Sequence, residues 1–115
     1  MANYMGITNP INILSDIGIY RGNFLQLEID VVDEFDISVP LDTVTVIFKI
    51  CDLQDEDIIF LEKTGENSLQ NDGISEVRLL TSDTEGLSMS KYRYIVEILY
   101  ETGNKSIGKG FLTIL

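Results

Sequence analysis

The residues of this chain best suited to chemistry are its carboxylates, one thiol and a few tyrosines. Asp52-Leu53-Gln54-Asp55-Glu56-Asp57 gathers four acids into one short run. Calcium collects several oxygens around one point, so this run is the best candidate for a cation site. It does not follow the EF-hand pattern. With Gly73 at the glycine position, Ser68 falls at the first ligand and Leu79 at the bidentate one. We read the run as a solvated acidic turn and expect no metal. Cys51 is the only cysteine, which leaves no internal disulfide. It follows Ile50 at the end of an apolar run and precedes acids that would raise its pKa. That setting suits a small buried hydrophobe better than a reactive thiol.

The chain has no histidine. Ser-His and Cys-His pairs, histidine metal ligands and the usual near-neutral base are all missing. One cysteine and no histidine make no structural zinc site. Gly108-Lys109-Gly110 lacks both the phosphate-loop pattern and the helix that must follow it. Paired carboxylates could in principle act as acid and base. Here they fall in turns or on polar strand faces, and no tryptophan offers a sugar platform. The expectation is a protein that is not an enzyme and takes no cofactor. Tyr92 has a different character. It opens a strand five residues after Leu87, where β-sandwiches place a tyrosine whose hydroxyl pins a crossover loop. It is the candidate structural tyrosine.

These residues must be held by one domain, given 115 residues. A hydrophobic fraction of 44% and a charged fraction of 23% suit a globular chain with a core. Nineteen acids against eight bases give a net charge of −11. Nucleic-acid phosphates and anionic lipid both repel such a surface, so neither nucleic acid nor membrane is an expected partner. The charge suits solubility, or a basic partner surface. No basic leader with an apolar run stands at the N-terminus, and no apolar stretch reaches membrane-spanning length, so no signal peptide is expected. Asn104-Lys105-Ser106 matches a glycosylation sequon but reads as a turn. The unpaired cysteine favours assembly in a cytoplasm.

Residues 1–12 are polar, contain Asn9-Pro10, and read as an N-terminal arm or leader. Residues 13–115 read as a single β-sandwich domain. Within it, residues 13–20 are a possible first strand. Leu25, Leu27, Ile29 and Val31 alternate with Gln26, Glu28 and Asp30 over a strand at 24–33. Val44, Val46, Phe48 and Ile50 make the apolar face of 43–51, while Ile47 breaks the alternation. Further strands are expected at 58–64 and 74–80, a loop at 65–73, and a crossover with one helical turn at 81–90. The clearest signal comes last. Tyr92, Tyr94, Val96, Ile98 and Tyr100 alternate with Arg93, Ile95, Glu97 and Leu99. Glu101-Thr102-Gly103-Asn104 then turns the chain into a returning strand. About seven short strands with regular turns and no long helical stripe predict an all-β, immunoglobulin-like antiparallel β-sandwich, with a small barrel as the alternative.

Several segments together resemble a known family. They are Val44 to Ile50, Asn71-Asp72-Gly73-Ile74, Ser82-Asp83-Thr84-Glu85-Gly86-Leu87, Lys91-Tyr92-Arg93-Tyr94, and Gly110-Phe111-Leu112-Thr113-Ile114. The pattern is similar to the N-terminal domain of the phage baseplate upper protein family, over roughly residues 12–115. Ser90 stands where that family has glycine. Family members often continue into receptor-binding modules, so directly holding such modules is not expected of a chain ending at Leu115. The resemblance implies a non-enzymatic structural component of a bacteriophage virion, in a tail, baseplate or neck. It implies assembly in the host cytoplasm, other virion proteins as partners, and a homo-oligomer or ring-bound multimer. The candidate interface is the terminal strand, Phe111, Leu112, Thr113, Ile114 and Leu115, and the leader is expected to order on assembly. The rival reading is a carbohydrate- or cell-surface-binding immunoglobulin-like module, with a capsid decoration protein as a third.

Overall fold

Two stacked sheets account for the core. The structure, a computed structural model, describes residues 2–7, 12–32, 35, 37–69 and 73–115. The described strands are β1 (Ala2–Ile7), β2 (Asn12–Ile13), β3 (Ile17–Ile19), β4 (Leu25–Val31), β5 (Thr45–Cys51), β6 (Ile59–Thr64), β7 (Glu66–Leu69), β8 (Ile74–Leu79), β9 (Lys91–Leu99) and β10 (Lys105–Ile114). One short helix, α1 (Thr81–Glu85), crosses between β8 and β9. One sheet has the order β1-β4-β8-β7. The other runs β2-β10-β9-β5-β6, with β3 also on β10.

The core follows from alternation. Leu25, Leu27, Ile29 and Val31 of β4 are buried, as are Val77 and Leu79 of β8. They face Val46, Phe48 and Ile50 of β5, Tyr92, Tyr94, Val96 and Ile98 of β9, and Leu112 and Ile114 of β10. The last hairpin pairs β9 and β10 antiparallel from Lys105 opposite Leu99 to Thr113 opposite Lys91. Its turn closes with Gly103 at φ 88°, a left-handed conformation that glycine adopts without a side-chain clash.

The sandwich is as expected, but its edges differ. Ten strand segments are described where about seven were predicted. The sheets are not wholly antiparallel: β1 runs parallel to β4, and β2 and β3 run parallel to β10. The segment read as an arm is laid as β1 in register along β4, from Ala2 opposite Gln26 to Ile7 opposite Val31. The loop expected at 65–73 contains β7. Its polar sequence shows no apolar alternation, and it is held instead by β8 and by the Asn67 amide. That amide donates to the carbonyls of Leu41 (3.2 Å) and Val44 (2.8 Å). The first predicted strand is split in two. Asn9-Pro10, Asp33-Glu34 and Asn71-Asp72 lie outside the described residues.

Candidate functional site

The candidate interface strand, β10, is not a free edge. It is flanked by β9 on one side and by β2 and β3 on the other. Leu112 and Ile114 are buried in the core, which leaves Phe111 and Thr113, half-buried on the outer face, and the exposed Leu115 beyond the strand. Leu115 is itself tied down: its N–H donates to the Ile19 carbonyl at 2.9 Å, and its carbonyl accepts the Arg21 N–H at 3.1 Å. The five residues are therefore divided between two faces and do not form one patch.

Phe111 lies beneath cations. Lys91 Nζ stands 4.5 Å and Arg93 Cζ 5.0 Å from its ring centre, within range of cation–π attraction. Along the same face, Lys49 Nζ meets Glu97 at 3.0 Å, and Lys105 Nζ lies 3.7 Å from the same carboxylate. The Glu97 hydrogen bond, set against burial, holds the Lys49 ammonium above its ordinary pKa. The acidic turn also folds onto this face. Glu56 accepts from Lys109 Nζ at 2.8 and 3.0 Å and lies 3.6 Å from Arg93. Asp52 and Asp55 shape the turn itself: Asp52 Oδ2 accepts the N–H groups of Gln54 and Asp55, and Asp55 Oδ1 accepts that of Asp57. Among the described residues, no group of three or more such side chains is arranged to hold a metal ion. Cys51 is buried, and burial, then the Glu56 carboxylate, pushes its thiol pKa up. An unreactive packing role follows from that environment.

Tyr92 lies against the crossover segment. Its hydroxyl donates to the Ser88 carbonyl at 2.8 Å and sits 2.9 Å from Ser88 Oγ, closing the segment after α1 onto β9. Its ring meets Phe60 edge-on, with centroids 5.5 Å apart at 79°. The two rings, with Leu87, Ser88 and Lys91, line a shallow groove at the end of the sandwich.

Sequence reasoning missed a second tyrosine with a tighter role. Tyr94 stacks on Phe48 with centroids 5.6 Å apart, and its hydroxyl donates to the Ser15 carbonyl. The ring can take this path because Gly110 lies opposite. A Cβ on Gly110 would stand 2.6 Å from Tyr94 Cε2. The hydroxyl thus engages Ser15 between β2 and β3, where the first predicted strand is split. Burial drives the Tyr94 pKa strongly upward, so it stays a neutral donor. Gly110 becomes a signal for this role only once strand register places it across from Tyr94.

No protein-family model matches the chain, and no curated protein matches it in sequence. A solved structure described as the N-terminal domain of phage TP901-1 ORF48 is similar, with a TM-score of 0.64 and 9% sequence identity. The match covers 98% of this chain and 97% of that one. At that identity the likeness is one of fold, and this chain shares its two-sheet architecture, end to end, with a domain of a phage protein.

Proposed function

We propose that this chain is a non-enzymatic structural component of a bacteriophage virion, docked in repeated copies through protein–protein contacts in a tail, baseplate or neck. The observation that carries this reading is the near-complete match, in both directions, to a phage protein's N-terminal domain. The sequence resemblance to the phage baseplate upper protein family points the same way, through Lys91-Tyr92-Arg93-Tyr94 and Gly110-Phe111-Leu112-Thr113-Ile114. The side chains also fit a structural task. Asp52, Asp55 and Glu56 of the 52–57 turn are engaged in turn bonds and ion pairs, and the Tyr92 and Tyr94 hydroxyls bond backbone carbonyls of other segments. Binding would then rest on shape and surface charge, with partners among the other virion proteins.

The test is to locate the chain in the particle. Virions carrying an epitope at the C-terminus, labelled with antibody and viewed by electron microscopy, should show label at one repeated position on the tail, baseplate or neck. Particles without label, made in cells where the tagged chain is abundant and functional, would contradict the proposal. Affinity of the isolated chain for cell-surface glycan, together with absence from the particle, would favour the binding-module reading instead.

A further inference from the structure

The two outer faces of the sandwich carry opposite charge. On the six-stranded sheet, the positions alternating with the core present Lys49, Lys91, Arg93, Lys105 and Lys109. Against these five cations, among the described residues, stand the strand carboxylates Glu62 and Glu97 and, from the 52–57 turn, Glu56, which pairs with Lys109 and lies 3.6 Å from Arg93, so cations still outnumber the carboxylates in contact with them. Five of the chain's eight basic residues thus share one face of a protein whose net charge is −11. On the four-stranded sheet the balance reverses. The outward positions of β4, β8 and β7 present Glu28, Asp30, Glu66 and Glu76 against Arg78.

The basic face is not charge alone. Half-buried Ile47, Leu99, Ile107 and Phe111 lie among its cations. An aromatic ring beside an arginine, as Phe111 is beside Arg93, is a pairing enriched at protein interfaces. Size permits the same use. The principal extents are 37 × 27 × 20 Å, so each broad face is spanned by the two longer dimensions. That is room for the ~800 Å² per partner of a standard interface.

We propose that copies of this chain associate head to tail, the basic face of one against the acidic face of the next; the proposal rests on the reading of a virion component present in repeated copies. Charge complementarity selects this arrangement. A two-fold contact between like faces would set cations against cations or carboxylates against carboxylates, which costs several kcal/mol in an interface. A head-to-tail contact pairs them, and such contacts close into rings or continue as filaments. Because the faces are opposite, each copy can take a neighbour on both sides.

The experiment is a charge swap read by light scattering and sedimentation. The wild-type chain should form oligomers at about 20 mM salt and lose them at about 0.5 M, where the screening length falls to a few ångströms. Lys91→Glu with Lys105→Glu should make both faces acidic, and Glu28→Lys with Glu66→Lys should make both basic. Each variant alone should associate at least about tenfold more weakly than wild type, through like-charge repulsion. Their equimolar mixture should regain salt-sensitive oligomers, because every contact is complementary again. Circular dichroism melts check that both variants fold. A wild-type chain that stays monomeric at low salt up to about millimolar concentration, or a mixture no better than its components, would overturn the proposal. Particles that contain the chain and tolerate both variants would overturn head-to-tail stacking and leave the virion role standing. Absence of the chain from particles would remove the virion role itself.

Discussion

The contact between Tyr94 and Gly110 is where single atoms decide most. The tyrosine ring occupies the volume a Cβ at Gly110 would need, 2.6 Å from Cε2, and its hydroxyl bonds the Ser15 carbonyl. Gly110→Ala forces the ring or β10 to move, a cost of about 3 kcal/mol. Tyr94→Phe keeps the packing and loses one hydrogen bond, a cost of about 1 kcal/mol. Urea denaturation should therefore rank the alanine variant well below the phenylalanine one; equal losses would refute the close approach. Asp30 offers a test of opposite sign. Burial raises its pKa above the ordinary 3.8, so the native state holds this proton more tightly than the unfolded chain. Stability then falls as pH rises through that window, and the ionised group is a cost at neutral pH. Asp30→Asn should raise Tm at pH 7, with the advantage fading on acidification and gone below 3.8. A gain independent of pH would contradict the assigned cause. Residue roles were only partly legible in the sequence. Tyr92 stood out by its spacing from Leu87, whereas the Tyr94 role depends on which β10 residue lies opposite, a matter of register.

At the scale of elements, α1 shows how a short crossover is held. Five residues are too few for a self-supporting helix. Side chains hold it instead: Asp83 accepts the Leu80 N–H at 2.8 Å and meets Lys63 Nζ at 2.8 Å. Thr84 Oγ1 donates to the Asn23 carbonyl at 2.9 Å, and the Arg21 guanidinium donates to the Glu85 carbonyl at 3.0 and 3.2 Å. Asp83→Ala removes a cap and an ion pair and should lower stability by about 1 kcal/mol. Asp83→Asn, which keeps a capping oxygen, should lose less in the same thermal melts. If the two variants melt together, the cap is not what holds the turn. The strands with clear alternation, β4, β5, β8, β9 and β10, were readable because one face of each is committed to the core. β7 was not, because Glu66-Asn67-Ser68-Leu69 carries no such pattern and pairs through backbone and the Asn67 amide. β1 was read as a leader for a related reason: its sequence is weakly apolar, and its parallel place beside β4 comes from tertiary pairing.

For the whole molecule, the sequence shows an acidic chain and the fold shows where its charges go. A net charge of −11 suggested only solubility or a basic partner. Register places five cations on one outer face, with Glu56, Glu62 and Glu97 among them, and four carboxylates on the other, with Arg78 among them, and no sequence window contains either set. Of the candidate residues 111–115, the pleat sends Leu112 and Ile114 inward and leaves Phe111 and Thr113 on the outer face, a division that depends on register. The proposed role as a docked part rests on the fold likeness to a phage domain and on a surface divided by charge. Quantitative mass spectrometry of purified, infectious particles tests that claim most directly. We predict that the chain co-sediments with the particles at a fixed number of copies per virion, well above one. Its absence from particles, while it remains plentiful in the lysate that produced them, would contradict the account.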